Sequence, residues 1–293
     1  MVSVIIPTYG RAADIVLRAV ESIRKQTYTD WELYVVDDNK EQNPYSEPIK
    51  RRLEGIKDTR IHYLRMEKNS GACAARNKGI WESKGEYLAF LDDDDEWYPE
   101  KLEKQIPKFE DPLVGFVYCG FFMFQEKKGK GKSSWIQFTR GDVYTRLLKG
   151  NFMGGTPGVI IRRSCFDKCG YFREDMPSSQ DYEMWLRLAK AYQVDSVAED
   201  LVKVHLHEED SITKSLDRRI EGYRKILCSY HDDIIKDKEI HSFQLYNLGK
   251  FLILNREYKE GMRLLLDSIK LKPKNGIYYI MVITYWKMNY NGV

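Results

Sequence analysis

A chain of 293 residues, 43% hydrophobic and 31% charged, has room for one large globular domain or a domain with an appendage. Its net charge of +3 is too small to argue for a nucleic-acid partner, and no apolar run approaches the roughly 18 residues a membrane span requires. The cysteines Cys73, Cys119, Cys165, Cys169 and Cys228 are odd in number and scattered, and the first residue runs directly into a strand. The expectation is a cytoplasmic protein with reduced thiols and no targeting segment. Cys165 and Cys169 are spaced for packing on a helix face and lack the second pair of a zinc site.

Along the first half, strand and helix signals alternate. Val2 to Ile6 is an apolar strand ending at Pro7 and Thr8. Residues 14–26 carry Ile15, Leu17, Ala19, Val20 and Ile23 as a helical stripe, and residues 32–36 form a second buried strand running into Asp37 and Asp38. A helix over 49–56, a strand over 60–65 and a helix over 71–83 follow. A fourth strand, 87–91, leads into four consecutive acids, Asp92, Asp93, Asp94 and Asp95. This order predicts an α/β fold with a mostly parallel sheet flanked by helices. The pattern then loosens into a helix over 101–109, a strand over 114–124 and a basic, Gly-rich hairpin tip or loop over 126–134. A helix over 142–149, a strand over 156–162, a helix over 179–192 and a last strand over 202–207 complete this part.

From about Leu216 the signal is helical, which divides the chain into 1–215 and a small all-α extension, 216–293. Within 242–275, Leu248, Gly249, Leu252, Gly261, Leu265, Ser268 and Pro273 fall at the spacing of a tetratricopeptide repeat. A generic helical hairpin fits the same residues. Helices over 218–232 and 278–288 are available to cover its faces. Homo-oligomer formation through these helices and peripheral contact with a membrane are both compatible with a basic, aromatic tail.

The acid run is the strongest chemical signal. Four adjacent carboxylates repel one another unless something positive sits among them, and hard divalent cations, Mg2+ or Mn2+, take such oxygen ligands. Open α/β sheets hold their ligands at the carboxyl ends of strands, where this run lies. A solvated acidic turn is the alternative.

The ordered motifs resemble those of the family 2 glycosyltransferases, which have the GT-A (Rossmann-like) fold. Val4-Ile5-Ile6-Pro7-Thr8-Tyr9 is similar to their first strand, and Val35-Val36-Asp37-Asp38 to their nucleotide-base strand end. Gly71 to Gly79 is similar to their GxxxARN segment, Asp92 to Asp95 to their metal-binding DxD, and Gln180 to Arg187 to their late acidic-pair segment. The resemblance spans about residues 1–215. It implies a glycosyltransferase that takes a nucleoside-diphosphate sugar, UDP- or dTDP-linked, with Mn2+ or Mg2+.

On that resemblance, Asp37 and Asp38 hold the base N–H, with Pro7, Thr8 and Tyr9 beside it and Arg11 within reach of phosphate or on the surface. Arg76 and Asn77, near a helix start that favours anions, help hold the nucleotide. Two acids spaced as Asp92 and Asp94 face the same way on an extended backbone. Asp94 would then ligate the metal and Asp92 hold ribose or metal-bound water, with Asp93 and Asp95 the alternative register; otherwise Asp95 turns outward or caps the following helix. Asp181 is the implied general base, one acid opposite the leaving phosphates, which gives inversion. Gln180 stands where the family usually has Glu. His207 or His205 completes the metal shell, His207 by its spacing to Ser211. Gly154 to Pro157 shapes the acceptor side, and Trp97 and Tyr98 stack on sugar or fill core. The acceptor is a glycan, a lipid-linked sugar or a protein hydroxyl. The competing readings are a sugar nucleotidyltransferase, which would want a Gly-rich basic loop after the first strand, and an inactive transferase domain serving as an interaction module through its helical tail.

Overall fold

The computed structural model describes residues 1–40, 42–206 and 215–273. They form two compact units. One contains Met1–Tyr144, Asn151–Glu174 and the described residues from 181 to 206. The other gathers Thr145–Gly150, Asp175–Gln180 and the described residues after 214.

In the first unit the chain runs β1 (Val2–Thr8), α1 (Ala13–Arg24), β2 (Trp31–Asp37), α2 (Ser46–Ile56), β3 (Ile61–Arg65), α3 (Ala72–Glu82) and β4 (Tyr87–Phe90). A short β5 (Glu96–Trp97), α4 (Lys101–Gln105), β6 (Val114–Gln125) and β7 (Lys130–Ser133) follow. After α5 (Tyr144–Lys149), which lies almost wholly in the second unit, come β8 (Val159–Arg162), α6 (Ser164–Cys169), α7 (Gln180–Ala189) and β9 (Gln193–His205).

Among the described residues nine strands make one sheet, ordered β3-β2-β1-β4-β8-β6-β9-β5, with β7 paired to β6. The β3, β2, β1 and β4 strands run parallel. Then β8 lies antiparallel to both β4 and β6, β9 is parallel to β6, and β5 is antiparallel to β9. The result is an α/β fold with a mixed sheet whose first half is parallel. Every residue of β1 and β2 is buried, as expected of parallel strands covered on both faces. From α1, the residues Val16, Ala19, Val20 and Ile23 join Leu33 and Val35 in one core cluster. Each valine, leucine and isoleucine among them contributes about 1.5–3 kcal/mol on burial. At Gly79 on α3 an added Cβ would come 2.6 Å from the side chain of Ile5, so the helix seats on β1 only because that position is bare.

Three departures from the sequence pattern have local causes. The helix expected over 101–109 ends at Gln105 and continues as a 3-10 turn, Ile106–Glu110, because Pro107 has no N–H to extend the α ladder. The β5 strand comes from a pair, Glu96 and Trp97, too short to show a period; it pairs with Lys203 and Val202. The last strand begins at Gln193, well before residue 202. Asp195, Glu199 and Asp200 interrupt its apolar run, and its register against β6 shifts at Gly120, where an added Cβ would meet Asp200 at 2.5 Å.

The second unit contains α8 (Leu216–Ser229), α9 (His231–Ile234), α10 (Lys238–Leu254) and α11 (Tyr258–Leu271). The last two form the expected hairpin. A Cβ at Gly249 would lie 2.9 Å from the Gly261 carbonyl, so these glycines let the two backbones cross closely. Ser242 and Ser268 exchange buried hydrogen bonds across the same crossing, at 2.9 and 2.6 Å to each other's carbonyls. Ile220 packs on Leu248 and Leu252 to tie α8 to the hairpin. The two short upstream segments are held by side chains of this unit: Gln244 donates to the Leu148 carbonyl, and Ser178 Oγ to the Arg218 carbonyl at 2.9 Å. The helix expected over 278–288 lies outside the described residues.

Candidate functional site

The site grows from the carboxyl ends of β1, β2 and β4. Thr8 is in register with Asp37, and the Asp38 N–H donates to the Thr8 carbonyl at 2.9 Å. Thr8 Oγ1 donates to Asp93 Oδ2 at 2.7 Å, which ties the end of β1 to the acid run. Gly10, at φ +64°, turns the chain so that its N–H reaches Asn39 Oδ1 at 2.7 Å. Pro7 is buried within β1, and Tyr9 is 54% exposed, a free aromatic face at the strand exit.

Asp37 and Asp38 are both buried. Asp37 accepts from the Asn39 backbone N–H at 2.9 Å and side chain at 2.6 Å, and from the Tyr63 hydroxyl. Asp38 accepts from the N–H groups of Ser70 and Gly71, at 2.8 and 2.7 Å, and from Asn69 Nδ2 at 2.9 Å. Burial raises the Asp38 carboxyl above the ordinary carboxylate range, and these N–H donors pull against it. Asp38 thereby anchors the 69–71 loop that opens α3.

The four aspartates form a turn closed by Asp95 N–H to the Asp92 carbonyl at 3.1 Å. Their burial alternates: Asp92 and Asp94 are half-buried, Asp93 and Asp95 buried. Arg11 bridges two of them, Nε to Asp93 at 3.0 Å and Nη2 to Asp94 at 2.8 Å, and Arg76 Nη2 holds Asp92 at 2.9 Å. Arg18 Nη2 donates to the Asp94 carbonyl at 2.8 Å. Burial pushes Asp93 up to about 6, against the pull of Arg11 and the Thr8 hydroxyl. Asp95 neither turns outward nor caps the next helix. The turn sends it inward, where it accepts the His205 backbone N–H at 3.1 Å and burial raises it well above its usual range.

Among the described residues no group of three His, Cys, Asp or Glu side chains could enclose a metal. The donor chemistry nevertheless suits a hydrated Mg2+ or Mn2+, which takes one or two carboxylates and completes its shell with water and phosphate. Asp92 and Asp94 offer that number of accessible hard oxygens. His205 is occupied otherwise: its ring nitrogens lie 2.7 Å from Glu96 and 2.8 Å from Glu126. His207 lies outside the described residues.

On the other wall, Arg76 is 8% exposed, with Nε buried and without a hydrogen-bond partner and its guanidinium 5.8 Å from the Phe172 ring centre. Asp181, the second residue of α7, is entered through Ser179 at φ +58°. Burial raises its carboxyl, opposed by the Tyr182 N–H and by Arg76 and reinforced by Asp92. Arg76 therefore acts electrostatically on Asp92 and Asp181 together. Gly155 faces Asp181 as well, since a Cβ there would sit 3.9 Å from Asp181 Oδ2. Asn77 is turned away from this group. Its amide donates to the Phe172 carbonyl and Glu174, both at 2.9 Å, and its oxygen accepts the Phe172 N–H at 3.0 Å. Trp97 is core, donating to the Pro157 carbonyl at 3.0 Å, and Tyr98 is half-buried. Arg18, Asn39, Tyr63 and Asn69 are participants the motifs did not single out; each acts from a different element, so local spacing carries no sign of them.

A half-parallel α/β sheet with acids gathered at the carboxyl ends of its strands is the arrangement of the GT-A fold. The model of Glycosyl transferase family 2 matches residues 3–170, and the chain belongs to that family. The putative colanic acid biosynthesis glycosyl transferase WcaA of Escherichia coli K12 is 29% identical over 274 residues, covering 92% of this chain and 94% of that protein. Among solved structures, TarS 1-349 of S. aureus superposes with a TM-score of 0.67 at 19% identity, over 93% of this chain and 81% of that one. TarS 1-349 is also known in complex with UDP-GlcNAc. The mannosyltransferase PcManGT of Pyrobaculum calidifontis, in complex with GDP-Man and Mn2+, superposes with a TM-score of 0.62 at 16% identity, over 98% and 79%.

Proposed function

We propose that this glycosyltransferase is inverting and metal-dependent, and moves a sugar from a UDP- or dTDP-sugar to a hydroxyl of a glycan, lipid-linked or protein acceptor in polysaccharide or glycoconjugate synthesis. The observation that carries the reading is Arg76, which is ion-paired with Asp92 on the acid turn and whose charge is also felt by Asp181 on α7. Two carboxylates on different elements that feel one cation can take different roles, one toward the donor and one toward the acceptor.

Asp37 and Asp38, with Pro7, Thr8 and Tyr9, receive the base. Arg11 and Arg76 face the diphosphate, whose charge they match in fork geometry. Asn77 contributes through the 172–174 strap that backs Arg76, and Asp93 holds Thr8 and Arg11 in place. Asp92 and Asp94, with His207, would hold the divalent cation, which when bound supplies positive charge to the departing diphosphate. Asp181 takes the proton of the acceptor hydroxyl as the new bond forms on the opposite face, which inverts the anomeric carbon. Its raised affinity for protons makes it a better base than an ordinary surface carboxylate. The TarS complex with UDP-GlcNAc and the PcManGT complex with Mn2+ support the donor class and the metal. The WcaA name supports a polysaccharide product. A cytoplasmic location, at the inner membrane face where lipid-linked acceptors lie, suits that product, and among the described residues no helix is long and apolar enough to cross a membrane.

Asp181→Asn and Asp94→Ala should each lower transfer at least about a thousandfold, the scale set by loss of a general base combined with loss of charge stabilisation. Calorimetry separates them: Asp94→Ala weakens UDP binding in Mn2+, and Asp181→Asn leaves it unchanged. Near-normal turnover by Asp181→Asn sinks the assignment of the base.

A further inference from the structure

Each accessible acid of the turn already has an internal cation: Asp92 has Arg76 at 2.9 Å and Asp94 has Arg11 at 2.8 Å. Arg11 is the more mobile choice of the two by its surroundings. Its side chain is 31% exposed and stands on the loop between β1 and α1, whereas that of Arg76 is 10% exposed and sits on α3 against Phe172. A guanidinium and a divalent cation compete for the same carboxylate lone pairs. A nucleoside diphosphate, by contrast, competes with Asp94 for the guanidinium.

We propose that Arg11 is a latch on Asp94: it occupies the carboxylate in the empty enzyme, and transfers to the donor diphosphate as Asp94 is released to the divalent cation. The inference rests on the metal and donor reading given above and adds an order to it. Free metal binds weakly because Arg11 must first be displaced into solvent. Diphosphate binding removes that cost, so the two ligands favour one another, each by the same factor. Asp93 acts as the fixed end of the latch. Buried and held by Thr8, it keeps the Arg11 Nε at 3.0 Å, so the guanidinium can swing from Asp94 without leaving the site.

The test measures binding, with no turnover needed. Mn2+ alone, and UDP alone in chelator-treated buffer, are titrated by calorimetry into the full-length enzyme, Arg11→Met and Arg11→Lys. Removing a positive charge from beside Asp94 should tighten Mn2+ alone by about tenfold in Arg11→Met and weaken UDP alone by a similar factor, with Arg11→Lys between the parent and Met. If Mn2+ binds Arg11→Met no more tightly than the parent, the latch is wrong, while the metal reading stands so long as the parent binds Mn2+ together with UDP. If the parent binds no Mn2+ even with UDP, both fall. Should Arg11→Met misfold, Arg11→Lys decides alone: the latch requires a measurable gain in Mn2+ affinity and a loss in UDP affinity.

Discussion

Two ionisable side chains, Asp181 half-buried and Lys101 buried, carry opposite lessons about charge. At Asp181 burial raises the carboxyl above its ordinary value of 3.8, and Arg76 limits the rise. A general base works only when deprotonated, so activity should fall as pH drops through a midpoint above 3.8. Arg76→Gln removes the opposing charge and should move that acid limb to higher pH in a kcat profile measured at saturating donor. A limb that stays put would separate Arg76 from the base. Lys101 is fully buried, its Nζ without a hydrogen-bond partner and 3.9 Å from the Trp97 ring centre, and burial lowers it from 10.5 to about 8. Below pH 8 folded and unfolded chains are both protonated and the fold bears the cost of the buried charge. Between about 8 and 10.5 only the unfolded chain keeps the proton, so this group makes stability rise with pH. At about 1.4 kcal/mol per pH unit the cost is roughly 3 kcal/mol, and the cation–π contact returns about 1 kcal/mol of it. Lys101→Met should therefore stabilise by about 1–2 kcal/mol at pH 7 in urea unfolding, and the gain should vanish by pH 10.5.

Elements show where the sequence could be read and where it could not. The strand ends were legible because apolar runs stop abruptly at acids, so Asp37, Asp38 and the 92–95 run could be set at one edge of a sheet before any geometry was known. The roles inside the run were hidden, because four identical residues carry no register. Their partners lie far along the chain, Asp95 on His205 and Asp93 on Thr8. The full length of β9 was hidden by its acids, and Asn77 was legible only as a motif member. Its three hydrogen bonds to 172–174 make it the fastening of a strap against α3. Asn77→Ala strands the Phe172 N–H and carbonyl in a buried setting. It should destabilise by about 2–4 kcal/mol, read from the shift of the urea midpoint at unchanged slope.

At the scale of the whole molecule, the compact units do not follow the order of the chain. Asp175–Gln180 belongs to the helical unit, and the next residue is Asp181. The segment is secured there by Ser178 Oγ on the Arg218 carbonyl, and by Lys225 on Asp175. At Gly222 the close approach is tight: an added Cβ would fall 2.4 Å from Ser178 Oγ and 2.7 Å from its carbonyl oxygen. The helical unit thus includes the segment that ends immediately before Asp181. Gly222→Val should push α8 from the 175–180 segment, because overpacking at so close an approach costs about 1–3 kcal/mol. The loss should appear as a lower urea midpoint at unchanged slope. A Gly222→Val midpoint equal to the parent's would show that α8 and the 175–180 segment do not pack this closely at Ser178.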